Sequence, residues 1–423
     1  MRKRVCSPSL VFLQSMLLLL LLVVFIGQAF GQSLYEQGHS LQSLKPTLLD
    51  GFGFAVASEG DSVVVGSPHA AGSRGQMGKV FLFQRGTGKV LHSFLPPSPV
   101  GDDMFGLSVG LTDRFVIVGA PRGRGKSGRS SGMVAVFDRE SGKLVREFIS
   151  PNSIAAVFGH AIGTQGPWVA IGDPGASSPT TFDVGEVYVF EIVTGRLVQR
   201  FLAPEAPHGK ADRFGHTLAF GGSTLAISAP LGGVEPIDHG KVFVFDIETG
   251  TLVRTLESPE RQTNEYFGWS LASDADTLLV GALGRTITYA EAGAAYLFTH
   301  QGKFRKKIET PHPQKGGHFG EAVGLLENFY LVAAPGDDTA GVDAGTVFVF
   351  NKHTNQLQFT IPNPSKTTGA ADLFGLSMHG VGAHLVVGAP YGDLSKMPDA
   401  GEVHQFYFQS SKHHHQEWPQ SPG

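Results

Sequence analysis

Cysteine is all but missing from this 423-residue chain: Cys6 is the single one. It lies near the N-terminus, so no disulfide can staple the remainder of the chain, and the fold must be held by its core. No Asn-x-Ser/Thr sequon free of proline occurs. Charge is sparse at 17% of residues, and acid outweighs base, for a formal net charge of −4. That balance excludes a general nucleic-acid binder. No Ser-His-Asp arrangement, metal-ligand cluster or pair of acids at a defined spacing stands out, which argues against an enzyme.

One long apolar run exists, at the start. Arg2, Lys3 and Arg4 precede an apolar stretch centred on 17–26, and Ala29-Phe30-Gly31 follows as a small-residue cleavage pattern. Residues 1–31 therefore read as a secretory signal, with an uncleaved N-terminal anchor as the alternative. Removal of the signal leaves 30 of the 33 basic residues against 37 acidic ones, a net charge of −7. The expected product is secreted or exported, with no membrane insertion after cleavage. A polar tail, 409–423, carries His413, His414 and His415.

What the chain has in abundance is glycine, 56 residues, and it is placed periodically. Phe-Gly recurs seven times, at Phe52, Phe105, Phe158, Phe214, Phe267, Phe319 and Phe374, at intervals of 52 to 56 residues. Thirteen residues after each Gly a second motif opens: Gly66-Ser-Pro, Gly119-Ala-Pro, Gly172-Asp-Pro, Ser228-Ala-Pro, Gly281-Ala-Leu, Ala333-Ala-Pro and Gly388-Ala-Pro. A period near 50 filled with short strands means a propeller or an array.

Each repeat reads as four strands. The first follows Phe-Gly, with a small residue at its second position (Ala55, Ser108, Ala161, Thr217, Ser270, Ala322, Ser377), as crowding around a central axis requires. The second is a continuous apolar run, covered on both faces, which the following Pro terminates. The third opens on Gly. The fourth is more polar, as an outer edge should be. The seventh repeat lacks its fourth strand, and a matching segment, 40–44, stands before the first Phe-Gly. The expected fold is all-β: a seven-bladed β-propeller of four-stranded antiparallel blades over 32–408, its ring closed by the N-terminal strand.

These residues resemble the FG-GAP repeat family, whose best-known members are the propellers of integrin α-subunits. The resemblance covers 40–408 and implies extracellular recognition. Members that bind calcium carry a D-x-D-x-D-G-x-x-D loop between the first two strands. Here that interval is a tight turn in every copy, with Asp274-Ala275-Asp276 the nearest approach. No cofactor is expected, and calcium is kept only as a possibility without those loops.

Several motifs look chemical. Gly106-Leu-Ser108-Val-Gly110 matches a nucleophile elbow, but Ser108 fills the slot of Ala55, Ala161 and Ala322, and no helix follows. Gly123-Arg-Gly125-Lys-Ser-Gly128 matches a dinucleotide fingerprint, again without a helix. Its loop is the most basic stretch of the mature chain: Arg122, Arg124, Lys126 and Arg129 form either a solvated loop or a patch for anionic glycan or phosphate. The residue after Phe-Gly is His160, His216, Trp269 and Glu321 in blades three to six. These make either blade packing or a polar-aromatic arc for a sugar or peptide. Two residues before the Gly of strand three stand Gln76, Ser130, Asp183, Asp238, Glu291, Asp343 and Asp399. The five acids are turn caps or a cation or glycan site per blade, shared with Asp173, Asp337, Asp338 and Asp393.

The functional expectation is a recognition or adhesion module that binds an extracellular protein through loops on one face. A glycan-binding lectin is the close alternative, and a propeller enzyme with a channel-bound cofactor or a purely structural assembly protein the lesser ones. Oligomeric state and ligand identity are not legible.

Overall fold

In the computed structural model, residues 34–409 are described, except 73–74, 100, 125–130, 152–155, 178–182, 205–211, 235–236, 300, 366–370 and 395–398. They fall into two units. In the smaller one, the Gln409 N–H donates to the Leu34 carbonyl at 3.3 Å, and the Tyr35 and Phe408 rings lie 6.3 Å apart. The larger one, 37–407, is the propeller. The predicted signal segment 1–31 and His413, His414 and His415 lie outside the described residues.

Every described element is a strand, and the strands form seven four-stranded antiparallel sheets. Blade one is typical: Ala55–Glu59 innermost, then Ser62–Ser67, Lys79–Gln84 and Val90–Phe94 outermost. Blades two to six repeat that order. The second and third strands are buried almost throughout, as their unbroken apolar runs require, whereas the outer strands are exposed or half-buried apart from one buried residue near the end. In six blades the register of the third and outer strands slips by one beside the hairpin, as at Leu82/Phe83. A left-handed residue in the turn (Gly88, Gly142, Gly195, Gly250, Gly302, and Asn355 in blade six) accounts for this bulge. Two small ribbons are additions to the expected plan: Ala71–Gly72 with Gly75–Gln76, and Gly233–Val234 with Ile237–Asp238.

The two repeated motifs are blade joints. All seven Phe side chains of Phe-Gly are fully buried. Each packs on the third-strand rings of its own blade, as Phe52 does on Phe81 and Phe83 at 5.7 and 6.0 Å. Its backbone presses on the Gly that opens strand three of the preceding blade. A Cβ on Gly240 would stand 2.2 Å from the Phe267 carbonyl oxygen, and one on Gly401 2.1 Å from that of Phe52. Only glycine fits there, and each also has a positive φ, 88° at both positions. The small slot on the inner strand meets the same joint. The hydroxyls of Ser108, Ser270 and Ser377 donate to the carbonyls of Gly159, Gly320 and Gly53 in the next blade, at 2.7, 2.8 and 2.7 Å. The crowding read from those small residues is therefore towards the neighbouring blade rather than the axis. The core lies between blades: one cluster joins Val64, Val80, Leu82 and Phe94 to Phe105, Val116, Val118 and Phe137.

The ring closes between blades seven and one. Gly401 against Phe52 and Ser377 against Gly53 repeat the ordinary joint. The N-terminal segment supplies the outer strand, but upstream of 40–44. Tyr35–Gln37 is the strand, Gly38 N–H donates to Gln405 at 2.8 Å, and Leu41 exchanges two bonds with Val403, at 2.7 and 3.0 Å. Leu41 is buried at 1% exposure, whereas Leu44 is 66% exposed.

Candidate recognition face

Inner strands begin at Phe-Gly and second strands run back to end at the Gly-Ala-Pro motif. Both motifs, the loops between blades and the loops joining strands two and three therefore gather at one end. The tight turns of strands one and two, and the third-to-outer hairpins, occupy the other.

At the Phe-Gly end the four arc residues touch in chain order. The His160 and His216 rings lie 5.0 Å apart, and those of His216 and Trp269 lie 4.6 Å apart. The Trp269 indole N–H donates to Glu321 Oε1 at 2.9 Å. All four are half-buried. Burial, then the Arg213 charge, lowers His160 to about 4. His216 falls to about 3 through burial, then His160 and Arg213. Burial raises Glu321, opposed by the Trp269 hydrogen bond and by His318. At neutral pH the arc thus holds two uncharged imidazoles beside an indole and a carboxyl group whose pKa burial raises. The same slot in blades seven, one and two is Leu376, Phe54 and Leu107, also half-buried, so the rim is apolar on that side.

Sequence reasoning missed the residues just before Phe-Gly. Arg213, Tyr266 and His318 all hold positive φ, at 55°, 54° and 52°. Met104 and Leu373 share that conformation, so it belongs to the blade joint. It turns these side chains to the arc. Tyr266 lies 6.0 Å from Trp269, ring to ring. His318 stands 3.8 Å from Glu321 and 3.9 Å from Glu291. The offset from Phe-Gly was available as a signal.

The acidic positions behave differently. Asp183, Glu291, Asp343 and Asp399 have φ of 51°, 56°, 48° and 52°. Three of their N–H groups are capped by loop side chains: Asp183 by Ser177 at 3.0 Å, Asp343 by Asp338 at 2.8 Å and Asp399 by Asp393 at 3.0 Å. The carbonyls of Asp183, Glu291 and Asp343 accept the N–H groups of Arg213, His318 and Leu373 in the next blade. These residues thus join blades through their backbone, and the loop acids are occupied as caps. Asp337, likewise, accepts from Thr346 at 2.9 Å. Asp238 lies in the ribbon Ile237–Asp238. Among the described residues no three His, Cys, Asp or Glu side chains come together at metal-binding distance. Arg122 and Arg124 are exposed, and the Arg122 N–H donates to Asp103 at 3.3 Å. Lys126, Arg129 and Ser130 lie outside the described residues. Ser108, the serine of the elbow-like motif, is taken up by its bond to Gly159.

Comparison with known proteins agrees with this anatomy. Residues 251–298, from the outer strand of blade four through the third strand of blade five, match the FG-GAP repeat family model. Over 157 residues the chain is 27% identical to integrin alpha-PS5 of Drosophila melanogaster, a match covering 33% of this chain and 16% of that relative. The chain thus matches only a small part of that relative's length. With seven Phe-Gly joints in one ring, the chain is a seven-bladed β-propeller, similar over 251–298 to the FG-GAP repeat family and, over about a third of its length, to an integrin α-subunit.

Proposed function

We propose that the chain is an extracellular recognition module that binds a protein partner through the Phe-Gly face of its propeller. The observation that carries this reading is the arc. Four side chains from four successive blades are in unbroken contact, half-buried, at the end where the inter-blade loops gather. Loops and rim residues on a rigid scaffold are where binding surfaces lie. A protein fits better than a glycan. The Trp269 and Tyr266 pair has no counterpart at the same two positions of the other six blades. The apolar half of the rim offers the kind of surface on which a protein's anchoring side chain is buried. The likeness to an integrin α-subunit supports an adhesion-type role at the cell exterior.

The test is an array of extracellular proteins beside an array of glycans, probed with wild type and with the Trp269→Ala/Glu321→Ala double variant. Expected is saturable binding to a protein, weakened at least about tenfold in the variant. Binding confined to glycans would replace this reading with the lectin. Protein binding indifferent to the variant would move the site off this face.

A further inference from the structure

The opposite end of the channel holds a cavity of about 700 Å³, lined by all seven inner strands. Every inner strand is the edge of its sheet. One row of its backbone N–H and C=O groups therefore has no ladder partner and fronts the channel. Those rows must be satisfied by water or by a ligand that hydrogen-bonds as water does.

One side chain breaks the repeat there. Five residues after the Phe of Phe-Gly stand Ala57, Gly110, Gly163, Ala219, Ala272 and Gly324 in six blades, and His379 in the seventh. In two sister blades the slot is tight, a Cβ on Gly110 standing 2.9 Å from Ile162 and Thr164 and one on Gly163 3.3 Å from Phe220, whereas in blade seven an imidazole occupies it and lines the cavity. His379 Nδ1 accepts the Ser58 N–H at 3.3 Å, which leaves the proton on Nε2 as a donor. Burial lowers His379 to about 4, so the ring is neutral at physiological pH. Phe220 and Met378 add half-buried apolar surface to the wall. Charge is confined to the mouth. Lys352 is bound to Asp274 at 2.7 Å, and Glu327 is exposed. An anion would find its one lining cation already neutralised and would lose its hydration uncompensated.

We infer that this cavity is a binding site for a neutral cyclic polyol of hexose or cyclitol size. Its volume is in the range of small-molecule sites. The hydroxyls replace water along the strand edges, one of them accepts from His379 Nε2, and C–H surface of the ring meets the apolar parts of the wall, Phe220 in blade four or Met378 in blade seven. The site is at the other end of the channel from the proposed recognition face and does not depend on it.

The test uses the full chain labelled with ¹⁵N-histidine and titrated with D-glucose and with myo-inositol, gluconate serving as the charged control. The His379 ring resonances should move saturably with a neutral polyol and not with gluconate. By calorimetry His379→Ala, which installs the residue type of the sister blades, should weaken binding about tenfold, the loss expected for one hydrogen bond. His379→Gln, which keeps an N–H donor, should recover part of it. Trp269→Ala should change nothing. The inference is overturned if neither polyol gives a saturable shift or if gluconate works as well. It is also overturned if binding survives His379→Ala but not Trp269→Ala.

Discussion

Two residues ahead of the Phe of Phe-Gly, five blades bury a carboxylate: Asp50, Asp103, Asp212, Glu265 and Asp372. Blade three has Ala156 there, and the buried carboxylate beside its Phe-Gly is Asp173, from its own second motif. Asp173 Oδ1 accepts the Val157 N–H at 2.7 Å, and Oδ2 accepts the Ser150 hydroxyl at 3.1 Å. Burial pushes Asp173 up to about 7. Asp173→Ala should therefore cost about 2 kcal/mol by urea unfolding, since it strands a buried N–H. Adding Ala156→Asp should restore part of that stability. If the double variant is no better than the single, the two positions do not share a role. A second residue-scale prediction concerns His404, which replaces the aromatic ring of sister blades such as Phe81 and Phe243. It is buried at 2% exposure, bonded to Ser40 at 3.1 Å, 3.5 Å from Glu402 and against the Phe374 ring. Burial lowers it to about 4. The folded state thus binds this proton less readily than the unfolded chain, whose histidine titrates near 6.5. Stability is lost as pH falls from about 6.5 to about 4, by at most roughly 3 kcal/mol. The stability gap between His404→Phe and wild type should move in the variant's favour across that window and stay constant above pH 7. A gap independent of pH would show that His404 protonates freely in the fold.

At the scale of elements, the outer strands carry the weakest sequence signal, and the closing strand lies upstream of where that signal puts it. In blades one to six each outer strand holds one deeply buried residue: Phe94, Phe148, Phe201, Leu256, Ile308 and Ile361. Phe94, Leu256 and Ile308 stand eleven residues before their Phe-Gly, as Leu41 stands before Phe52. That offset marks Leu41, inside 40–44, as the buried residue bridged to Val403, whereas the strand itself, Tyr35–Gln37, lies upstream of it. Leu41→Ala should cost about 2–4 kcal/mol, a buried large-to-small change. Leu44→Ala should stay within about 0.5 kcal/mol. Equal costs would refute the observed register. The inner and second strands were legible because glycine, the small slot and the terminating Pro answer to geometry that is the same in every blade. The arc was legible as a set of residues but not as a contact chain. Which neighbours meet depends on how far adjacent inner strands turn about the axis, and Tyr266 and His318 reach the arc only through a left-handed backbone that no composition signals. The acidic positions were not legible as a backbone joint, which rests on their left-handed φ and on their carbonyls.

At the scale of the whole molecule, both proposed sites depend on closure. The arc needs blades three to six held edge to edge, and the cavity needs all seven inner strands. Closure uses the ordinary joint plus a polar tie found at this seam. Gln405 donates to the His39 carbonyl at 2.9 Å and meets His384 at 3.2 Å, and His384 meets Ser58 of blade one at 3.1 Å. Those side chains are buried, so the tie holds only while its members are satisfied together. The most direct measurement is amide hydrogen exchange of Gly38 and Leu41, whose N–H groups donate to Gln405 and Val403. A closed ring predicts that both exchange as slowly as the third-strand amides of blades two to six, through global unfolding. Exchange near the free-chain rate, with those third strands still protected, would contradict closure by the N-terminal segment.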